Sequence, residues 1–177
     1  MKNNLDQTYL NLIQDILDNG IVKKDRTGTG TISVFGRQIR HKMSEGFPIL
    51  TTKKMAWDQI LSELIWFLKG ETNIQSLIQQ KNYIWVGDAY KHYVSHINNP
   101  LTRKEFINEI SINNNFANKW GNMGPIYGKQ WRNWSRYEFI LDSLLHSGIR
   151  EFKVDQLLNV INEITINPDS RRLIVNS

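Results

Sequence analysis

Cysteine is absent from this 177-residue chain. Without cysteine no disulfide framework can form, which excludes the small disulfide-stabilised secreted scaffolds. No apolar run reaches the length that a membrane-spanning helix requires. The first seven residues, Met-Lys-Asn-Asn-Leu-Asp-Gln, contain no apolar core of a secretory signal peptide. We therefore expect a cytoplasmic protein with no membrane partner.

Long runs of like charge are also missing. The chain has 22 Lys and Arg against 17 Asp and Glu, which gives a net charge of +5 and a pI near 9.4. This balance suits an anionic substrate. The basic residues are scattered along the chain, so we do not expect a nucleic-acid partner. An apolar content of 40% is typical of a globular chain, and residues 1–177 are expected to form a single domain.

The apolar pattern predicts a mixture of helices and strands. Apolar residues at helical spacing indicate helices over residues 6–18, 53–69, 73–80, 102–118, 137–147 and 155–167. Residues 29–43 favour two strands joined near Gly36. Since the two element types do not alternate regularly, the predicted fold class is α+β.

The helix predicted over residues 53–69 is apolar on nearly all sides, a pattern typical of a buried helix. Glu63 lies on this helix, one turn away from Trp66. A carboxylate that faces the apolar stripe would be partly desolvated, which suits general acid/base chemistry. The alternative is an exposed Glu63 on the polar edge of the helix, beside Gln59 and Ser62.

Residues 124–134 read Gly-Pro-Ile-Tyr-Gly-Lys-Gln-Trp-Arg-Asn-Trp, and their aromatics follow neither helical nor strand spacing. Gly124 and Gly128 allow the backbone to turn or to approach another group closely. Tyr127 and the two tryptophans supply flat surfaces with polar groups. The segment is suited to a planar ligand, or it is a glycine-broken strand whose aromatics pack in a core.

Three arginines are candidates for binding a phosphate, because guanidinium groups bind phosphate through two parallel hydrogen bonds. Arg26 lies in a Gly/Thr-rich loop whose simpler interpretation is a hairpin bend. Arg171 and Arg172 follow a predicted helix end, and they could equally form a solvated turn.

Two histidines, His92 and His96, are four residues apart and could ligate a metal from one helix face. No arrangement of Cys, Asp or Glu in the sequence completes such a site. We therefore expect no metal cofactor.

Five segments occur in an order that resembles the thymidylate synthase family. They are Asp25-Arg-Thr-Gly-Thr-Gly-Thr, Phe47-Pro-Ile-Leu-Thr-Thr-Lys, Leu64-Ile-Trp-Phe-Leu-Lys-Gly, residues 124–134, and Pro168-Asp-Ser-Arg-Arg-Leu-Ile-Val. The resemblance extends from about Tyr9 to Ser177. It is weak across residues 88–119 and 135–153, where we expect insertions.

The resemblance implies an α+β fold with a mixed β-sheet and helices packed on one face. It implies a methyltransferase that converts dUMP to dTMP reductively, with methylenetetrahydrofolate as co-substrate. It also implies a homodimer with shared active sites, in which a phosphate is bound by residues of both subunits.

The resemblance assigns roles to eight residues. Glu63 and Tyr127 would be catalytic, Arg26 would bind the phosphate of dUMP, and Arg171 and Arg172 would reach the same phosphate from the other subunit. The folate would contact Lys53, Ile84 and Trp85.

The sequence departs from the family at its nucleophile, because the family attacks the pyrimidine with a cysteine thiolate that follows the arginine pair. The chain ends five residues after Arg172. We therefore expect an N-terminal portion that is inactive alone. Asp88 and Ala56 replace a tryptophan and a histidine common in the family, which weakens the prediction of folate contacts.

Two alternative functions remain open from the sequence. The first is a dCMP or dUMP hydroxymethylase of the same superfamily. The second is a non-catalytic fragment that binds nucleotide or RNA.

Overall fold

A computed structural model describes residues 4–26, 28–143 and 146–177 of the chain. The described residues form two compact units, Met1–Ala56 and Trp57–Ser177, and each is described by itself. The expectation of a single domain, with insertions near residues 88–119 and 135–153, stays a prediction.

The first unit begins with helix α1 (Asn4–Asn19), as the apolar spacing predicts, and continues with a short hairpin. Strands β1 (Ile21–Lys23) and β2 (Thr31–Ser33) pair antiparallel, with Val22 opposite Ile32. The expected pair of strands within residues 29–43 is therefore wrong, since only β2 lies there. The chain reverses before β2, through Gly28 and Gly30 with positive φ, rather than near Gly36.

The second unit is mostly helical and contains one long hairpin. Its elements are α2 (Trp57–Leu68), α3 (Gln75–Gln79), α4 (Val86–His96), α5 (Arg103–Ile112), α6 (Asn114–Trp120), α7 (Tyr127–Arg132), β3 (Trp134–Ser143), β4 (His146–Val154) and α8 (Gln156–Ile166). The α+β class is confirmed. The described strands pair antiparallel in two two-stranded sheets, which differs from the mixed sheet that the resemblance implies.

The β3–β4 hairpin replaces the helix predicted over residues 137–147, so that prediction is wrong. Phe139 lies opposite Ile149 and Trp134 opposite Val154 across the antiparallel ladder. Aromatic Tyr137 and Phe139 alternate with charged neighbours, which is the period of a strand. Residues 144 and 145 of the predicted helix lie outside the described residues.

The hydrophobic core of the second unit is built mainly by α3 to α6. Its buried residues are Trp66, Ile74, Leu77, Ile78, Val86, Ala89, Tyr93, Phe106, Ile110 and Ala117. The Trp66 indole N–H donates a hydrogen bond to the Asn73 carbonyl at 3.0 Å, which ties α2 to the segment that leads into α3. Helix α4 was missed from the sequence, although Val86, Ala89 and Tyr93 recur at helical spacing on its buried side.

Helix α2 is buried on one side only, against α3 and α7. Its buried residues are Ser62 and Trp66. Its exposed large side chains are Trp57, Leu61, Leu64, Ile65 and Leu68. The prediction of a helix buried all round is therefore wrong for the described chain. The helix also begins at Trp57, several residues after the predicted start.

Capping side chains set several helix ends. The helix predicted over residues 102–118 is divided at Asn113, whose Oδ1 accepts a hydrogen bond from the Phe116 N–H at 3.1 Å and begins α6. Asp155 caps α8 by accepting from the Leu158 N–H at 3.0 Å. This cap begins the helix that the sequence predicts from Asp155 onward, and that prediction is confirmed.

Two glycines let α7 pack closely on the end of α2. Gly70 follows α2 with φ of 75°, and Gly128 is buried within α7. A Cβ atom at Gly128 would lie 2.7 Å from the Glu71 carbonyl oxygen and 3.2 Å from the Gly70 carbonyl carbon. The glycine-broken strand considered for residues 124–134 is thus not formed, because a loop and α7 precede β3.

The core can be tested at Phe106, which is 0% exposed. Phe106→Ala should lower the free energy of unfolding by about 3–5 kcal/mol, because it leaves a cavity among aromatic neighbours. Ile112→Ala on the same helix is the control. Ile112 is 69% exposed, so its loss should change that free energy by less than about 0.5 kcal/mol. Urea unfolding followed by circular dichroism measures both, and equal losses would contradict this core.

The glycine contact can be tested by two Gly→Ala substitutions with different expected effects on stability. Gly128→Ala should destabilise the chain by about 1–3 kcal/mol, because its Cβ would overlap the Glu71 carbonyl. Gly87→Ala in α4 meets nothing within 4 Å, so it should be neutral or stabilising. Thermal unfolding of the two variants compares them directly. An unchanged melting temperature for Gly128→Ala would refute the close approach of α7 to α2.

Candidate functional site

The structure joins two of the predicted site residues, Glu63 and Trp85, by a hydrogen bond. The Trp85 indole N–H donates to Glu63 Oε1 at 2.8 Å. Glu63 is half-buried on α2, and Trp85 lies at the N-terminus of α4. The carboxylate is therefore neither fully exposed nor enclosed in an apolar core. One of its oxygens has a fixed partner, and Glu63 sits at the edge of an aromatic surface.

Asn82 holds the segment that carries Trp85 against α2. It is 2% exposed, and its Nδ2 donates to the Gln59 carbonyl at 2.8 Å and to Ser62 Oγ at 3.0 Å. Its Oδ1 accepts from the Ile84 N–H at 3.2 Å. Asn82 is thus hydrogen-bonded to the polar edge of α2. Sequence analysis missed this residue, because an isolated asparagine gives no sign that its amide is buried.

Tyr127 belongs to an aromatic cluster centred on Phe67. The Phe67 ring lies 5.3 Å from the Tyr127 ring and 5.6 Å from the Trp131 ring, both nearly edge to face. The Trp85 ring lies 6.4 Å from Tyr127. The structure therefore gathers Glu63, Trp85 and Tyr127 around one aromatic surface. Tyr127 is 44% exposed, so its phenol is accessible to a ligand.

This arrangement can place a proton-accepting group beside a flat ligand. The indole N–H of Trp85 occupies one carboxylate oxygen of Glu63, while the carboxylate retains capacity to accept further hydrogen bonds. Exposed aromatic faces nearby can contact a planar ring. Ile84 is 62% exposed next to Trp85, so it adds accessible apolar surface at the same edge.

Arg171 and Arg172 lie in the turn that follows α8, and both are exposed. The Arg172 backbone N–H donates to Ser170 Oγ at 3.3 Å, which helps to form the turn. The Arg172 side chain borders a surface depression together with Glu163 of α8. These guanidinium groups are accessible to an anion, on an element different from the one that bears Glu63.

Arg26 and Lys53 belong to the first unit, and both are exposed. Asp25 Oδ1 accepts from the Gly30 N–H at 3.3 Å, which closes the loop that presents Arg26. The loop joins β1 to β2, so the hairpin interpretation of its glycines is confirmed. The binding roles of both cations stay predictions.

Within residues 4–26, 28–143 and 146–177, no group of three or more His, Cys, Asp or Glu side chains is placed to hold a metal ion. In the same residues, no helix is both long and apolar enough to span a membrane.

Comparison with known proteins identifies similar chains. This chain is 46% identical to a thymidylate synthase of Phytoplasma mali (strain AT) over 170 residues, which cover 96% of this chain and 53% of that protein. Identity is 47% to the thymidylate synthase of Aster yellows witches'-broom phytoplasma (strain AYWB), over 96% of this chain and 54% of the relative. It is 42% to that of Mesoplasma florum, over 96% of this chain and 53% of the relative.

The chain spans about half the length of these curated relatives. A family model described as thymidylate synthase matches residues 7–177, which include all five segments that carry the resemblance. The match covers nearly the whole chain, so the resemblance is confirmed. The chain belongs to the thymidylate synthase family.

Proposed function

We propose that this chain is part of a thymidylate synthase, a methyltransferase that converts dUMP to dTMP with methylenetetrahydrofolate as carbon donor and reductant. The observation that carries the proposal is the Glu63 carboxylate, held by the Trp85 indole beside Tyr127. Family membership over residues 7–177 supports the substrate class. A cytoplasmic location and a role in nucleotide biosynthesis accompany this activity.

In this proposal Glu63 handles protons on the pyrimidine. The hydrogen bond from the Trp85 N–H fixes the orientation of the carboxylate. The oxygen lone pairs that this bond does not use therefore point in a fixed direction, as acid/base chemistry requires. Tyr127 lies beside the reacting ring and packs on Phe67, which limits its movement. A fixed acid/base group beside a fixed ring is the arrangement that efficient proton transfer requires.

The folate would contact Ile84 and Trp85, with Lys53 as a cationic partner. Trp85 then has two roles, because its N–H holds Glu63 while its ring offers a face to the folate. Asn82 supports both roles, since it anchors the segment that carries these residues to α2. No step of the reaction is assigned to a metal ion.

The phosphate of dUMP would be held by Arg26 of one subunit and by Arg171 and Arg172 of its partner in a homodimer. Guanidinium groups stay charged at every relevant pH, and each charge-assisted hydrogen bond contributes about 1.5–3 kcal/mol. The thiolate nucleophile is not among these 177 residues. The proposal therefore requires that it come from polypeptide outside them.

The role of Glu63 can be tested in a protein that joins these residues to the cysteine-bearing part of a related thymidylate synthase. Glu63→Gln should lower kcat by roughly a hundredfold or more, because the amide cannot exchange the proton. The amide oxygen still accepts the Trp85 hydrogen bond, so dUMP should bind as before. Tritium release from labelled dUMP measures turnover, and equilibrium dialysis measures nucleotide binding.

Glu109→Gln on α5 is the matched control, and it should retain full turnover. If Glu63→Gln retained turnover within about twofold of the unmutated protein, Glu63 would be an ordinary helix carboxylate, since an acid/base group contributes far more than that.

The shared phosphate site can be tested in the same joined protein by mixing two inactive variants, Glu63→Gln and Arg172→Ala. One of the two sites in a mixed dimer would combine an intact Glu63 with an intact Arg172, so activity should return after subunit exchange. Light scattering and mass spectrometry of differently labelled subunits would confirm that exchange occurs. Exchange without recovered activity would place Arg172 in the active site of its own subunit.

A further inference from the structure

The exposed side of α4 carries two histidines that the proposed function does not use. The rings of His92 and His96 lie 4.4 Å apart between centroids and are tilted by 51°. We propose that this pair is a two-histidine chelate for a divalent transition metal, with Cu²⁺ as the preferred ion. The proposal concerns a surface site and not a cofactor of the reaction, and it is independent of the catalytic assignment.

Hydrogen bonding leaves one nitrogen of His96 free to bind an ion. His96 Nδ1 lies 2.9 Å from the His92 carbonyl oxygen, which can only accept a hydrogen bond. Ser95 Oγ also lies 3.0 Å from Nδ1. The tautomer that satisfies the contact with the carbonyl carries its proton on Nδ1 and leaves the lone pair on Nε2. Metal-binding histidines commonly donate their second N–H to a backbone carbonyl, which fixes the ring and increases its basicity. Ser95 Oγ donates to the same carbonyl at 2.7 Å.

The spacing of the two rings puts both imidazoles within reach of one ion. An imidazole nitrogen about 2 Å from an ion puts the ring centre roughly 3.2 Å from it, so two rings that share an ion have centres no more than about 6.4 Å apart. The observed separation of the ring centroids is 4.4 Å. Nitrogen ligands bind Cu²⁺ more tightly than Zn²⁺ in the general order of divalent-metal affinities, so we expect Cu²⁺ to be the preferred ion.

A tryptophan ring lies beside both exposed histidines and limits the space open to them. The Trp120 ring of α6 lies 6.1 Å from the His92 ring and 6.2 Å from the His96 ring. Helix α4 is itself anchored by its buried Tyr93, which packs against Trp120 at 5.1 Å. A preorganised pair loses less conformational entropy on binding than two mobile side chains would.

The charges near the pair are of both signs. Asp88 lies one turn before His92 on α4, and Lys91 is adjacent. From α6, Lys119 Nζ lies 5.0 Å from the centroid of the Trp120 ring. Among the described residues no third His, Cys, Asp or Glu joins the pair. A bound ion would therefore keep water in its remaining positions.

The test is a Cu²⁺ titration of the 177-residue chain, followed by electron paramagnetic resonance and calorimetry. The unmutated chain should bind one Cu²⁺ with hyperfine structure from two nitrogens, and more tightly than Zn²⁺. His92→Gln and His96→Gln should each weaken binding by at least about tenfold and leave one nitrogen. His41→Gln, in the first unit, is the matched control and should bind like the unmutated chain.

A second measurement guards against misfolded variants. An ion that binds only the folded chain raises its melting temperature, so Cu²⁺ should stabilise the unmutated chain and the His41→Gln control but neither α4 variant. Circular dichroism without metal verifies that all four proteins are folded. Equal Cu²⁺ affinity in the folded α4 variants, a one-nitrogen spectrum for the unmutated chain, or tighter binding of Zn²⁺ than Cu²⁺ would overturn the proposal.

Discussion

The absence of a side chain at Gly128 is the constraint on which the candidate site depends. Helix α7 packs on the end of α2 because no Cβ separates its backbone from Glu71. This contact sets the position of Tyr127, which precedes Gly128, and of Trp131 in the same helix. Both rings therefore reach Phe67 of α2, one turn after Glu63. The aromatic surface beside the carboxylate follows from a backbone contact rather than from the aromatics themselves.

The sequence named candidate site residues but not how they meet. The resemblance assigned roles to Glu63, Trp85 and Tyr127, and the structure places these side chains around one aromatic surface, while their roles stay predictions. The hydrogen bond between Glu63 and Trp85 spans 22 residues of sequence, and no periodic pattern within one element reports such a contact. Asn82 escaped detection for the same reason, because its burial depends on Gln59 and Ser62 of another element.

Short-range sequence patterns predicted α1 and α8 well. They failed where the same apolar residues fit both helical and strand spacing. Helix α8 follows from Asp155 as its cap, and α1 from its apolar stripe. The β3–β4 hairpin was mistaken for a helix, since Tyr137, Phe139, Ile140 and Leu141 satisfy both spacings until the cross-strand partners are known. The one-sided burial of α2 could not be derived from its sequence, because composition reports how apolar a helix is and not what covers it.

The core formed by α3 to α6 has a consequence for the order in which the chain folds. Its buried residues from Ile74 to Ala117 lie within one continuous segment, so their contacts close short loops. Short loops cost less chain entropy, and folding that depends on local contacts is fast. This segment should form first during synthesis and exchange its amide hydrogens last. The Glu63 carboxylate, on α2, would then be assembled onto a helical scaffold that is already in place.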